Sequence, residues 1–376
     1  MSGALDSLQR PLLSASEMRW LRATHCLGLL LIVLVALIWV AASQLIETIF
    51  KDQSFDHPYF LTYFNTCGFT FWLLATACAK PAKPSPPVDV SQGEQLMSEQ
   101  ELRCGRLRKY GAMALVVGPA WLAANYLFNL SLDYTSVASN SMFSTTSNLW
   151  TMLFSVCFLG ERLNPFHVLA VIFTMAGSSL VALADAADAD DEQKSSWVGD
   201  GLALVSACMY GAYTVLLKHC VPENEERLAM PTLFGCIGLL VLVFGWPLLL
   251  LFDRIAWEDF AWPSRSVLGT LSINALVGTN LSDVLWAYAV QLTTPLTATL
   301  GLSLTVPFGM ISDALLRGKS FDAQYILGSL LVLSGFLLVS FAGPLWTTAL
   351  PRCLRCLGLE ASSGGSSCES SDSCED

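Results

Sequence analysis

Asp283 is the residue whose chemistry is hardest to explain away. It sits in the run from Asn280 to Trp286, inside an otherwise apolar stretch. A carboxylate at membrane depth costs on the order of 3 kcal/mol, so it is expected to face a cavity or a partner. There it could contact a substrate or carry a proton; the plainer reading is a hydrogen bond between helices. Sliding the chain by 158 positions places Asn125 on Asp283 and Gly160 on Gly318. A second concentration of polar groups runs from Ser139 to Asn148, where eight of ten residues are polar. Hydroxyls there can bond back to their own helix. The amides of Asn140 and Asn148 need partners that lipid cannot supply. With Ser144 midway, the three share one helix face, which predicts a cavity wall.

In the second copy, Thr305 lies with Thr297, Ser303 and the helix-kinking Pro307. Tyr210 and Trp39 occupy similar settings, after Ala207 and Ala36 respectively. The candidate substrate-binding residues are therefore Asn125, Asn140, Ser144, Asn148, Tyr210, Asp283 and Thr305, with Asp283 also the candidate coupling group. Lys218 either snorkels to an interface or attracts an anionic phosphate. No catalytic or phosphate-cradling motif is present. The chain is not expected to be an enzyme or to need a cofactor or metal.

These residues must be positioned by membrane helices. The sequence is 53% hydrophobic and only 14% charged, against about 25% charged in soluble proteins. The net charge of −11 is concentrated in 185–192 and the tail, and no basic stripe exists to bind nucleic acid. Twelve cysteines show no spaced framework for structural disulfides. Cys353 and Cys356 have metal-like spacing without a second pair; palmitoylation of the tail is the better functional reading, and a tail whose cysteines do nothing is the plainer one.

Ten stretches approach the roughly 20 apolar residues that a span requires: 26–49, 60–79, 110–132, 134–159, 164–184, 197–217, 231–252, 266–290, 292–315 and 322–343. The first is too long for a signal-peptide core and is expected to be retained. The fold class expected is an all-α integral membrane protein, ten transmembrane helices forming two inverted five-helix repeats with the substrate site between them. The organisation expected is a cytosolic segment 1–24, a first repeat 25–184 containing a disordered loop 80–109, and an acidic luminal loop 185–196. A second repeat 197–345 and a disordered tail 346–376 follow. Fourteen of the twenty Lys and Arg residues fall on the side of the termini, which are expected to be cytosolic.

Three passages resemble a known family: Ile38 to Leu45, Phe60 to Asn65, and Thr135 through the turn Phe158 to Arg162. They resemble the F-type branch of solute carrier family 35, within the drug/metabolite transporter superfamily and its EamA-type repeat. The resemblance covers roughly residues 25 to 345. It implies alternating access and residence in an endomembrane such as the vacuole, lysosome or Golgi. The expectation is a secondary transporter of a small polar organic metabolite, working with a proton or a counter-substrate, in a lipid bilayer. Nucleotide-sugar antiport is the alternative within that class, though the motifs of the sugar-nucleotide carriers are not seen. A non-transporting scaffold or receptor is the alternative from another class. A homodimer is left open.

Overall fold

The computed structural model of the chain describes residues 15–53, 57–78, 99–161, 163–188, 196–221, 228–258 and 262–342. The tail with its cysteines, and most of the 80–109 loop, lie outside them. Within the described residues every regular element is helical. The helices are α1 (Ala15–Gln53), α2 (Pro58–Cys67), α3 (Phe71–Cys78), α4 (Glu99–Tyr134), α5 (Val137–Ser144), α6 (Ser147–Phe154) and α7 (Pro165–Asp188). There follow α8 (Trp197–Cys220), α9 (Ala229–Arg254), α10 (Arg265–Ile273), α11 (Ser282–Leu292), α12 (Pro295–Leu302), α13 (Thr305–Arg317) and α14 (Ala323–Leu337). The basic end of the 80–109 loop, expected to be disordered, is instead helical from Glu99 and forms the first turns of α4.

Seven helical stretches among the described residues are long and apolar enough to cross a membrane. The other three expected spans are not among the seven. Residues 58–78 contain a 3-10 turn at Gly68–Thr70. Residues 137–159 break at Thr145 and Thr146 and end in a π-turn, and 265–292 contain a π-segment at Asn274–Leu281. Leu30, Leu74, Leu115 and Phe244 lie on the exposed exterior, the surface that a bilayer would cover. Inside, Phe69, Trp121, Tyr213, Phe234 and Trp286 form one aromatic core.

The second parts of the two repeats fold by the same local rules. Ser136 caps α5 by accepting from the Ser139 N–H at 3.1 Å, and its equivalent Thr294 caps α12 through Thr297 at 3.1 Å. Such caps satisfy helix-end donors. Both helices break after eight residues, at Thr145–Thr146 and at Ser303–Leu304. The second break has a proline cause. Pro307 cannot donate to residue 303 and its ring crowds that carbonyl, so it is accommodated in the first turn of α13. The first repeat has Leu149 there; its break is held by Thr145 and Thr146, whose hydroxyls donate to the carbonyls of Met142 and Phe143. The closing turns match too, with Gly160 at φ 66° and Gly318 at φ 64°, a left-handed helix end that favours glycine.

α7 and α14, equivalent in the two repeats, pack against each other. Their contacts exchange under the same 158-residue shift. A methyl group on Gly177 would lie 2.5 Å from the Gly328 carbonyl oxygen and 2.8 Å from the Val332 nitrogen. One on Gly335 would lie 2.8 Å from the Ala170 carbonyl oxygen and would meet Thr174. Residues 170 and 174 are the equivalents of 328 and 332. Farther along, Gln324 donates to the Leu180 carbonyl and Lys319 meets Asp185, so the two helices run antiparallel. Gly177→Val is expected to destabilise the chain by at least about 1–3 kcal/mol through overpacking. Thermal unfolding in detergent checks this, and an unchanged midpoint would contradict the close contact.

Candidate functional site

A cavity of about 450 Å³ lies where these broken helices meet. Its wall takes Ser144, Asn148, Ser303 and Thr305 from the two breaks, joined by Asn125 and Tyr210. The Asn148 Nδ2 donates to the Ser303 Oγ at 3.4 Å, which ties one break to the other. The size suits a small organic ligand.

Five of the sequence candidates thus share one cavity: Asn125, Ser144, Asn148, Tyr210 and Thr305. Asn125 spends one N–H on its own helix, donating to the Trp121 carbonyl at 3.0 Å. Asn140 stands behind the wall. It is 1% exposed, its Oδ1 accepts from the Ser144 hydroxyl at 2.9 Å, and its Nδ2 has no partner among the described residues. Asn140 and Ser144 lie one turn apart on α5, so the three expected to share a face are divided between wall and backing within one unbroken helix. Asp283 is also outside the wall. It is 2% exposed, in the first turn of α11, and its Oδ2 has no hydrogen-bond partner among the described residues. Tyr210 and Tyr213 lie within electrostatic reach of it. Trp286, one turn along, stacks on Tyr213 with ring centroids 5.6 Å apart.

The structure adds wall residues that the sequence reading passed over. Trp39 donates its indole N–H to the Ser282 hydroxyl at 2.9 Å and presents its ring to the cavity. Ser178 and Ser206 come from α7 and α8. Asp185, Asp313 and Tyr325 edge the cavity where α7 ends and α14 begins. Asp185 had been assigned to an acidic loop, but α7 continues through it to Asp188. Asp313 was legible from spacing, since Ser303, Val306, Gly309 and Asp313 follow a three-to-four-residue period that lines one helix face.

At the other end of α8, Lys218 is held by backbone. Its Nζ donates to the carbonyls of Gln291 at 2.8 Å, Val290 at 3.3 Å and Thr293 at 3.4 Å. Ammonium groups suit the unpaired carbonyls of a helix C-terminus. Glu161, in the turn after the first repeat's π-segment, feels the same ammonium. Burial pushes the Glu161 carboxyl above the usual carboxylate range, and Lys218 pulls it back down.

A helical membrane protein with a polar cavity between two matched, broken helices is the architecture of a transporter. The chain belongs to the EamA-like transporter family, whose profile matches residues 26–183 and again 197–341. The two matches end 158 positions apart, at the offset found in the sequence. Among its relatives, an uncharacterized vacuolar membrane protein of Saccharomyces cerevisiae is 34% identical, over 84% of this chain and 90% of that protein. Solute carrier family 35 member F5 of Bos taurus is 31% identical, over 70% of this chain and 49% of that protein. The thiamine-repressible mitochondrial transport protein of Saccharomyces cerevisiae is 27% identical, over 85% of this chain and 92% of that protein. One solved crystal structure superposes with a TM-score of 0.58 at 14% identity, over 89% of this chain and 99% of that one. It speaks for the fold alone. The chain is a membrane transporter, similar to the F-type members of solute carrier family 35.

Proposed function

We propose that this transporter moves a small polar organic metabolite by alternating access, with the cavity as its substrate site and ten crossings arranged as two inverted five-helix repeats. The antiparallel packing of α7 on α14, with contacts that exchange under the repeat shift, supports an axis in the membrane plane. Such an axis relates inverted repeats. Segments 58–78, 137–159 and 265–292 supply the remaining crossings, their irregular backbone covered by protein or facing the cavity. The observation that carries the substrate site is the meeting of both breaks at one cavity, Asn148 to Ser303.

The orientation proposed from charge places both termini in the cytosol and the Asp185 edge toward the lumen. The cavity is edged by polar groups at that end, and two turns beyond Tyr210 on α8 Lys218 holds α8 to α11. The vacuolar relative favours the vacuolar membrane, which imaging of a tagged chain tests. A nucleotide sugar fits less well, because its phosphates need cationic partners and no Lys, Arg or His lines the wall among the described residues. The buried amides at the cavity favour a working transporter over a scaffold.

The test begins with a thermal-shift screen of nucleotides, sugar nucleotides, nucleobases and thiamine, since a ligand of the native state raises apparent stability. Uptake of the selected ligand into proteoliposomes follows. Asn148→Leu is expected to lower uptake at least tenfold while leaving the ligand-free midpoint within a few degrees; unchanged uptake would remove the cavity from the mechanism.

A further inference from the structure

Among the described residues, every charged residue on the cavity wall is acidic. Asp185 and Asp313 edge it, Tyr325 lies within electrostatic reach of both, and no Lys, Arg or His lines it among the described residues. Two cations meet these carboxylates from outside the wall. Lys319 is 3.5 Å from Asp185 and Arg317 is 3.6 Å from Asp313, with side chains 38% and 43% exposed. Ion pairs this open to water are weak, so a ligand cation can take their place.

The inner wall points the same way. Asn148 is 1% exposed, yet its Oδ1 has no partner among the described residues, and neither has the Oγ of Ser178, 3% exposed. Both residues line the cavity. Unsatisfied buried polar atoms are costly and call for a partner. An amide oxygen accepts only, so its partner must be a donor. The rings of Trp39, Phe128 and Tyr210 also belong to the wall. The indole N–H of Trp39 is already committed to Ser282, which leaves its π-surface. Aromatic rings attract cations through their negative faces. A phosphate ester is the opposite kind of ligand, anionic and rich in acceptors, and is held by Arg or Lys.

We infer that the cavity takes a small organic cation, its positive centre between Asp185 and Asp313, its flat body against the aromatic wall and a donor group toward Asn148. This rests on the reading of the cavity as the transport site.

The test uses the full chain in nanodiscs of neutral lipid, with empty nanodiscs as control. N-methylpyridinium, N-methylquinolinium and benzyltrimethylammonium are titrated by calorimetry, with UMP as the anionic comparison. At least one cation is expected to bind saturably and UMP is not. Asp185→Asn combined with Asp313→Asn is expected to weaken the cation at least tenfold. Should the double variant lose its ligand-free melting transition, Asp185→Asn alone carries the test, with at least a threefold loss. Failure of all three cations to bind, tighter binding of UMP, or cation binding indifferent to the carboxylates overturns the inference. Proteoliposome exchange separates it from the underlying reading. If cations bind with this charge dependence but are not exchanged, the cation site stands and the transport assignment falls. If UMP is exchanged and the cations are not, transport stands and the cation site falls.

Discussion

Lys218→Met is expected to open the cavity at the end away from Asp185. The ammonium of Lys218 gathers three carbonyls at the end of α11 and the start of the α11–α12 link. A hydrogen bond to a charged group contributes about 1.5–3 kcal/mol, and each 1.4 kcal/mol is roughly a tenfold change in a two-state population. Losing the clamp should therefore raise the population of the alternative state at least tenfold. Ser144→Cys, placed on the wall in a background with the other cysteines changed to serine, reports it. A membrane-impermeant maleimide applied from the Lys218 side should label at least ten times faster in the Lys218→Met variant. Equal rates would dismiss the clamp. The variant should also gain a pH dependence. Without the ammonium, burial alone acts on Glu161 and holds its carboxyl still higher. An acid raised in the closed state favours that state when protonated, so closure should recover as pH falls through that raised range.

The repeat relation deepens this picture. Glu161 and Lys319 are equivalent under the 158-residue shift, and they stand at opposite ends of the molecule with opposite charge. Lys319 meets Asp185, while Glu161 interacts with Lys218. Under the proposed inverted arrangement, each repeat brings a turn charge to one end.

Much of this was legible because repeats preserve local chemistry. The paired caps at Ser136 and Thr294 and the paired glycines at 160 and 318 are single-residue signals that survive in a sequence. The polar run from Ser139 to Asn148 marked the cavity, but it was read as one continuous helix. The break at Thr145–Thr146 depends on hydroxyls bonding back to carbonyls, an outcome that any Ser- or Thr-rich helix could avoid. Asp185 was hidden for another reason. Its acidic neighbours suggested a loop, and only the packing of α7 on α14 draws it into the helix beside Lys319.

Asp283→Asn is expected to abolish uptake driven by a pH gradient while leaving the fold intact. The carboxylate is 2% exposed, and one of its oxygens has no hydrogen-bond partner among the described residues. An ionised carboxylate left there would be heavily penalised, whereas a protonated one has an O–H to donate. The described state is therefore suited to the neutral acid. Ionisation requires a state that brings water or a partner to it, and alternation between the two states would carry one proton per cycle. Asparagine keeps the size and much of the hydrogen bonding but cannot release a proton, so it isolates coupling from packing. The thermal midpoint should stay within a few degrees and ligand binding should persist. Accumulation against a gradient should fall to the level of passive exchange. Wild-type accumulation by the variant would remove Asp283 from coupling. Loss of ligand binding together with transport would instead make it a substrate contact reached through the Tyr210 wall.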